Sequence, residues 1–248
     1  MKLFLLHSIF IFNLEYFQLE IGAAMGSRPV PSYANIFMAK RIDRFIRDLT
    51  TGNQNPLILF KRFLDDLFLI FRGSTKELHN LFQKINQIHP AIKFTMEHTS
   101  LENEPLNEKR DCTLKKSIQF LDTSCEIKNG KIEIDLYRKN TDRNQYLLPS
   151  SCHPKQTTTN IPFSLCLRIL RICTNPEIRQ KRIQDLKLRL LSRKYPERII
   201  DSAIDRANKI PRHIALRKTK TKTKSKRPVF ALRYDPRLPA IENIQAKH

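Results

Sequence analysis

Short apolar stretches, several of them alternating with polar residues, predict β-strands in the first part of the chain. The alternation around Asn13 is typical of two strands that flank a turn. The pair Asn129-Gly130 is favoured in two-residue hairpin turns, so the strands 118–127 and 131–138 on either side of it are expected to pair. The three strand regions predicted in this way are residues 9–21, 57–72 and 118–138.

Apolar residues with helical spacing predict helices between and after these strands. Ser74 is expected to cap one of them, because Glu77 follows three residues later and completes a capping box. Prolines open three further segments, where a helix tolerates the missing amide of proline. The predicted helices are residues 32–49, 75–89, 162–173, 176–195 and 196–210.

Two adjacent aspartates, Asp65 and Asp66, interrupt the apolar stretch LILFKRFLDDLFLIF. The apolar runs 57–64 and 67–71 around them predict two buried strands with the aspartates at their junction. Adjacent carboxylates repel each other and resist desolvation, and a multivalent cation removes that penalty. Mg²⁺ prefers hard oxygen ligands, so a catalytic metal site is one interpretation and a solvated turn is the other.

Basic residues exceed acidic residues by a wide margin. The chain has 45 Lys and Arg against 24 Asp and Glu, a formal net charge of +21. So large an excess disfavours an enzyme of small metabolites and indicates a polyanionic partner, above all nucleic acid. A ribosomal-type or chromatin-binding protein without enzymatic chemistry is the alternative.

The cysteines and the N-terminus bear on localisation. The five cysteines form no C-x-x-C pair and no zinc-knuckle spacing, so they are expected to be reduced intracellular thiols. The apolar start MKLFLLHSIFIF is too short to span a bilayer and lacks a convincing cleavage site. We expect it to be a buried strand or helix of an intracellular, nuclear protein that is not secreted and does not enter membranes. A processed signal peptide is the alternative.

Several stretches, in collinear order, resemble the reverse transcriptases of Penelope-like retroelements. RFLDDLFLIF is similar to their catalytic aspartate hairpin, and GAAMGSRPVPSYANIFMA to the loop and helix before it. LHNLFQKINQIHPAIKFTMEH resembles the palm helix and strand that follow. IQFLDTSCEIKNGKIEIDLYRKNTDRNQYL resembles the hairpin between palm and thumb, and SSCHPKQTTTNIPFSLCLRILRICTN the thumb. The likeness extends from about Ile9 to the end of the chain.

The resemblance implies roles for particular residues. Asp65 and Asp66 would be the catalytic carboxylates and the metal ligands. The residues implied to contact template, primer or nucleotide are Gly22, Ala24, Met25, Gly26, Ser27, Phe63 and Leu64. The residues that match the primer-grip region are Phe120, Leu121 and Asp122. A structural Phe-Leu pair followed by a turn-capping Asp explains these three equally well.

The basic tail is expected from its charge to contact nucleic-acid phosphates, with a solvated linker as the alternative. Its seven cations are Arg217, Lys218, Lys220, Lys222, Lys224, Lys226 and Arg227.

The resemblance also implies parts that this chain lacks. A polymerase palm supplies a third metal-binding Asp upstream of the Gly-Ala-Ala-Met loop, but Glu15 and Glu20 are the acidic residues that precede Gly22. The basic fingers and a C-terminal nuclease are not found either, so we expect a chain truncated at both ends. Mg²⁺ or Mn²⁺ is expected to bind productively only if the third carboxylate is supplied. Little or no polymerase activity is therefore expected from this chain alone.

The fold class expected is α+β: a partial polymerase palm of antiparallel strands with flanking helices, then an α-helical thumb-like region and a basic tail. The expected domain limits are residues 1–158, 159–212 and 213–248. The expected function is RNA-directed DNA polymerase by two-metal nucleotidyl transfer, with an RNA template, a DNA primer or RNA–DNA hybrid, and dNTP as partners. A non-catalytic nucleic-acid-binding protein derived from a retroelement is the alternative. A third interpretation is a basic helical DNA-binding module with an accidental Asp-Asp turn.

Overall fold

The computed structural model of the protein describes residues 8–20, 22, 24, 26–51, 55–99, 112–217 and 235. Contacts divide the chain into two units, with the boundary between Lys115 and Lys116. Each unit has its own hydrophobic core. Both units combine helices with small sheets, which confirms the predicted α+β class.

The first unit begins with a hairpin of β1 (Ile9–Phe12) and β2 (Glu15–Gln18), as the alternation predicted. Its turn is Asn13-Leu14, with φ angles of 52° and 67°. The prediction of a buried N-terminal segment is wrong for β1, whose four residues are all exposed. A two-stranded hairpin lacks a second layer that would bury a face, and the stacking of Phe10 on Phe17 leaves both rings largely exposed. Residues 1–7 lie outside the described residues.

A helical stretch follows the glycine-containing loop. It consists of α1 (Val30–Met38), a π-helical turn (Ala39–Asp43) and α2 (Arg44–Thr50). Met38, Ile42 and Ile46 are buried on one face, as their spacing predicted. This face forms part of the core of the first unit.

The two aspartates belong to a hairpin of β3 (Leu57–Phe63) and β4 (Asp66–Phe71), which pair antiparallel. The prediction of two buried strands is wrong, because Leu57 is buried whereas Ile58 is 57% exposed and Phe63 53% exposed. One face of the hairpin packs on the core of the unit. A sheet of only two strands, covered on one side, leaves the other face to solvent.

The next helix, α3 (Thr75–Gln87), begins with the predicted capping box. The Ser74 hydroxyl accepts a hydrogen bond from the Glu77 amide, and the Glu77 carboxylate accepts one from the Ser74 amide. Its buried face contains Leu81 and Ile85. The helix is followed by a short parallel pair, β5 (Met96–His98) and β6 (Cys112–Leu114).

The second unit begins with a three-stranded antiparallel sheet. Its strands are β7 (Ser117–Phe120), β8 (Thr123–Lys128) and β9 (Lys131–Leu136). The predicted turn at Asn129-Gly130 is confirmed, with φ angles of 48° and 72°. The prediction of one continuous strand over residues 118–127 is wrong, because Leu121 and Asp122 form another two-residue turn. The sequence Phe-Leu-Asp thus occupies the same position here and at the tip of the β3–β4 hairpin.

Four helices follow within the described residues. They are α4 (Lys155–Ile172), α5 (Pro176–Ser192), α6 (Glu197–Asn208) and α7 (Arg212–Ala215). The prediction that a helix begins at Pro162 is wrong, since α4 begins seven residues earlier and contains Pro162 in its interior. Proline cannot donate the i−4 hydrogen bond, so an interior position is costly. Pro162 is fully buried, and the packing of its ring offsets this cost.

The helices of the second unit share a core with the sheet. Leu136 of β9 belongs to the same buried cluster as Ile169, Leu190 and Ile200 from three different helices. The turn after α4 also binds β9 through the Thr174 amide, which donates to a backbone carbonyl of that strand at 2.9 Å. Sheet and helices therefore belong to one unit. The domain limits predicted from the sequence, residues 1–158, 159–212 and 213–248, separate the regions of a polymerase, and they stay a prediction.

Among the described residues, none of the helices has both the length and the apolar character needed to cross a membrane.

Candidate functional site

The two aspartates lie at the exposed tip of the β3–β4 hairpin. Asp65 is the second residue of the turn and Asp66 the first residue of β4, and both are exposed. Neither carboxylate has a hydrogen-bond or ion-pair partner among the described residues, so both are available to an external ligand. Leu64, the first turn residue, has a φ angle of 53°. Positive φ is uncommon for a leucine, and the two-residue hairpin turn requires it here, as it does at Leu121.

Arg62 fixes the backbone of this tip. Its guanidinium donates to both carboxylate oxygens of Asp43, at 2.7 and 2.8 Å, and to the carbonyl oxygen of Leu64 at 2.9 Å. A further bond, at 3.0 Å, reaches the side chain of Asn35 on α1. The hairpin is therefore tied to the helical stretch immediately beside the aspartates.

The ion pair of Arg62 and Asp43 is partly removed from water. The Arg62 side chain is 11% exposed and that of Asp43 is 30% exposed. Hydrogen bonding to Asp43 raises the pKa of Arg62 above its ordinary value, although partial burial opposes the shift. Asp43 is the last residue of the π-helical turn, and such turns occur frequently at functional sites. The bidentate geometry gives the contact both strength and a defined orientation.

The tip fits a divalent cation only in part. Mg²⁺ is commonly held by one or two carboxylates together with substrate phosphates, and Asp65 and Asp66 offer two such groups on a supported turn. Within the described residues, neither aspartate belongs to a group of three potential metal ligands. The predicted need for a further carboxylate stays a prediction.

The predicted template and nucleotide loop belongs to the same unit as the aspartates. Gly22 and Gly26 have φ angles of 101° and 94°, which favour glycine, and added side chains would meet no atom within 4 Å. The glycines are thus required by the backbone conformation of the loop itself. Ala24 and Ser27 are half-buried, and Met25 lies outside the described residues. The remaining contact candidates, Phe63 and Leu64, are part of the hairpin tip.

The predicted primer-grip residues lie in the second unit. Leu121 and Asp122 form the turn between β7 and β8, and Leu121 is 46% exposed with a φ angle of 54°. The Asp122 carboxylate forms an ion pair with Arg168 of α4, at 2.6 Å. The turn lines a cleft of about 290 Å³ that also contains Arg138 and Lys139. The structure thus places this turn beside basic side chains of the same unit.

The helices of the second unit carry basic side chains of two kinds. Some are engaged in the fold, as is Arg182, which bonds both carboxylate oxygens of Asp135 at 3.1 and 2.6 Å. Burial raises the pKa of Asp135, but the hydrogen bonds and charge of Arg182 outweigh burial and the net pKa is lowered. Others are exposed and have no partner among the described residues. These are Lys155, Lys181 and Arg198 on the helices, and Lys194, Lys209 and Arg217 one or two residues after helix ends.

Of the predicted phosphate-binding tail, the structure describes only Arg217, which is exposed. The other six cations of the tail lie outside the described residues. The five free cations other than Arg217 were not identified from the sequence, because the sequence does not show whether a basic side chain is free or in an ion pair. Asp43 was missed as well, since it lies 19 residues before Arg62 and carries no local signal of the pairing.

Comparison with known proteins concerns the helical part of the second unit. The family model of the animal helix-turn-helix domain matches residues 145–205, about a quarter of the chain. The match covers α4, α5 and most of α6. Comparisons with curated proteins and with solved structures find no match. Helix-turn-helix domains commonly bind DNA by placing a helix in the major groove, so the match indicates nucleic-acid binding as the class of function for these helices.

Proposed function

We propose that this chain is part of an RNA-directed DNA polymerase similar to the reverse transcriptases of Penelope-like retroelements. The observation that carries the proposal is the Asp65-Asp66 hairpin, whose exposed carboxylates stand on a turn fixed by Arg62. In this proposal residues 1–158 contain the second half of a palm, and residues 159–212 act as a thumb. The partners are an RNA template, a DNA primer or RNA–DNA hybrid, and dNTP.

In the proposed reaction the carboxylates of Asp65 and Asp66 help to hold divalent cations. Two such cations would support nucleotidyl transfer by activating the attacking oxygen and stabilising the leaving oxygen. Arg62 contributes by position, because it bonds the carbonyl of Leu64 and limits movement of the turn. The exposed ring of Phe63, next to the half-buried Leu64, offers an apolar surface beside the carboxylates that suits a base pair.

The first test is to sequence the transcript upstream of the codon for Met1 and translate it in frame. We expect an open frame with a strand that carries the further Asp. The longer protein should incorporate dNTP on an RNA template with Mg²⁺, and Asp65→Asn should lower the rate by at least about a hundredfold, because charge stabilisation at the reacting phosphate is lost. The 248-residue chain alone should show little or no incorporation.

The matched control is Asp48→Asn, which makes the same chemical change at an exposed carboxylate of α2 that has no partner among the described residues. Its rate should stay within about twofold of the unmodified protein, since no interaction is removed. An upstream region of stop codons would contradict an active polymerase. So would incorporation that Asp65→Asn leaves unchanged.

A second candidate function is nucleic-acid binding without catalysis. The observation that favours it is the helix-turn-helix match over helices that carry free cations. The matched segment contains 11 Lys and Arg against 5 Asp and Glu. Helix α4 has no acidic residue at all, and its exposed side chains are polar or basic. Such a surface offers sequence-independent contacts to phosphates.

Binding of a labelled DNA duplex and an RNA–DNA hybrid, measured by fluorescence anisotropy across a salt series, tests this function. Neutralising three free cations, in the triple variant Lys181→Gln, Lys194→Gly and Arg198→Gln, should weaken binding. Glycine suits position 194 because its φ angle is 61°. The slope of log affinity against log salt should become shallower by about 0.9 for each of these cations that contacts a phosphate of the duplex.

The control removes the same charge from the first unit with Arg47→Gln, Lys76→Gln and Lys84→Gln, all at exposed helical positions. Equal loss of affinity in both triple variants would show that net charge alone drives binding and would contradict a helical interface. Asp65→Ala separates the two functions, because binding by the helices should survive it and metal-dependent synthesis should not.

A further inference from the structure

Two histidines and a cysteine from three separate elements come together in the first unit. His79 lies on α3, His98 at the end of β5 and Cys112 at the start of β6. Their potential ligand atoms all lie within 4.8 Å of one another. The residues are 19 and 14 positions apart in the sequence, so no local pattern predicted their association.

The distance between one pair of these atoms is close to that of a metal site. The Nε2 atom of His79 is 3.3 Å from the Sγ atom of Cys112. In a tetrahedral zinc site the bond lengths place a nitrogen and a sulfur ligand about 3.6 Å apart. A small shift of either side chain would therefore admit the ion. The rings of His79 and His98 meet edge to face, with centroids 5.9 Å apart.

The surroundings of His79 also suit a ligand. Its Nδ1 atom is 2.8 Å from the carbonyl oxygen of Thr75, one turn earlier in α3. Metal-binding histidines usually donate their second ring N–H to a carbonyl or carboxylate, which fixes the ring and directs the other nitrogen to the ion. With Nδ1 donating to Thr75, Nε2 presents its lone pair toward Cys112.

The secondary structure around the cluster is short and gains from a crosslink. β5 and β6 have three residues each and pair in parallel, in the register Met96 with Cys112 and His98 with Leu114. Parallel pairing is slightly weaker per residue, and two short strands are marginal by themselves. An ion held by His98 and Cys112 would join the two strands, and His79 would attach them to α3.

We propose that His79, His98 and Cys112 bind one Zn²⁺ ion, with water in the fourth position. Imidazole nitrogen and thiolate sulfur are the ligands that zinc takes in proteins, whereas Mg²⁺ takes oxygen. The site is thus chemically distinct from the Asp65-Asp66 hairpin, and it does not depend on the function proposed above. Its role is to hold the β5–β6 pair against α3.

Titration of the purified, untagged 248-residue chain with Co²⁺ tests the proposal. We expect one equivalent to bind with a thiolate-to-cobalt charge-transfer band in the near ultraviolet, and Zn²⁺ to displace it. Cys112→Ser should abolish the band. The matched control is Cys152→Ser, which removes an exposed thiol elsewhere and should leave the band unchanged.

A second variant tests the site independently, in case Cys112→Ser fails to fold. His79→Gln keeps all five thiols and should weaken Zn²⁺ binding at least about tenfold, since a ligand is lost. Zn²⁺ should raise the melting temperature of the unmodified chain by several degrees and leave that of His79→Gln unchanged. The proposal is overturned if the unmodified chain binds no stoichiometric Co²⁺, or if the band persists in Cys112→Ser.

Discussion

Replacing Leu190 with alanine is expected to destabilise the second unit by about 3–4 kcal/mol. Leu190 is fully buried near the end of α5, in the cluster that also contains Leu136 of the sheet and Ile200 of α6. The substitution removes buried methyl groups and leaves a cavity that rigid helices fill only in part. Since this cluster joins the sheet to three helices, the substitution should destabilise the whole second unit.

Leu188→Ala is the matched control, because Leu188 lies two residues away on the same helix and is 67% exposed. The change in its free energy of unfolding should stay within about 0.5 kcal/mol. Urea denaturation of the full chain measures the free energy of unfolding of both variants. Hydrogen exchange of peptides from α4 to α6 measures the protection of the second unit. Similar losses of protection in the two variants would contradict the assigned core.

The second large effect is expected at the ion pair of Asp43 and Arg62. Asp43→Ala should destabilise the first unit by about 2–3 kcal/mol, because it leaves a guanidinium that is 11% exposed without its counter-charge. Two weaker acceptors remain, the Asn35 side chain and the Leu64 carbonyl, and they limit the loss. The hairpin tip should become more mobile, since the tie to the helical stretch is reduced.

The double variant Asp43→Ala with Arg62→Met should recover part of this loss, because an apolar side chain of similar volume needs no counter-charge. Asp48→Ala, at an exposed position of α2, provides the baseline and should be nearly neutral. For Asp43→Ala, the double variant and Asp48→Ala, urea denaturation measures the free energy of unfolding. Hydrogen exchange of the β3–β4 peptides measures the mobility of the hairpin. If Asp43→Ala and Asp48→Ala lower the free energy of unfolding by equally small amounts, the ion pair does not support the hairpin.

The β3–β4 hairpin and the ion pair of Arg62 with Asp43 illustrate how much sequence patterns predict. The turn between two apolar runs was predicted from LILFKRFLDDLFLIF, because both strands and turn depend on neighbouring residues. The exposure of Ile58 and Phe63 was not predicted, since it depends on how many layers cover a two-stranded sheet. The partner of Arg62 was not predicted either, because any of several acidic residues could have reached it.

The sequence by itself determined features whose causes are local: the capping box at Ser74, the turn at Asn129-Gly130, the buried stripes of the helices and the basic character of the chain. Tertiary structure decided what depends on distant packing. It placed Pro162 inside a helix and brought together His79, His98 and Cys112. The physical reason is range: caps and turns bond within a few residues, whereas burial, ion pairs and metal sites depend on which distant elements meet.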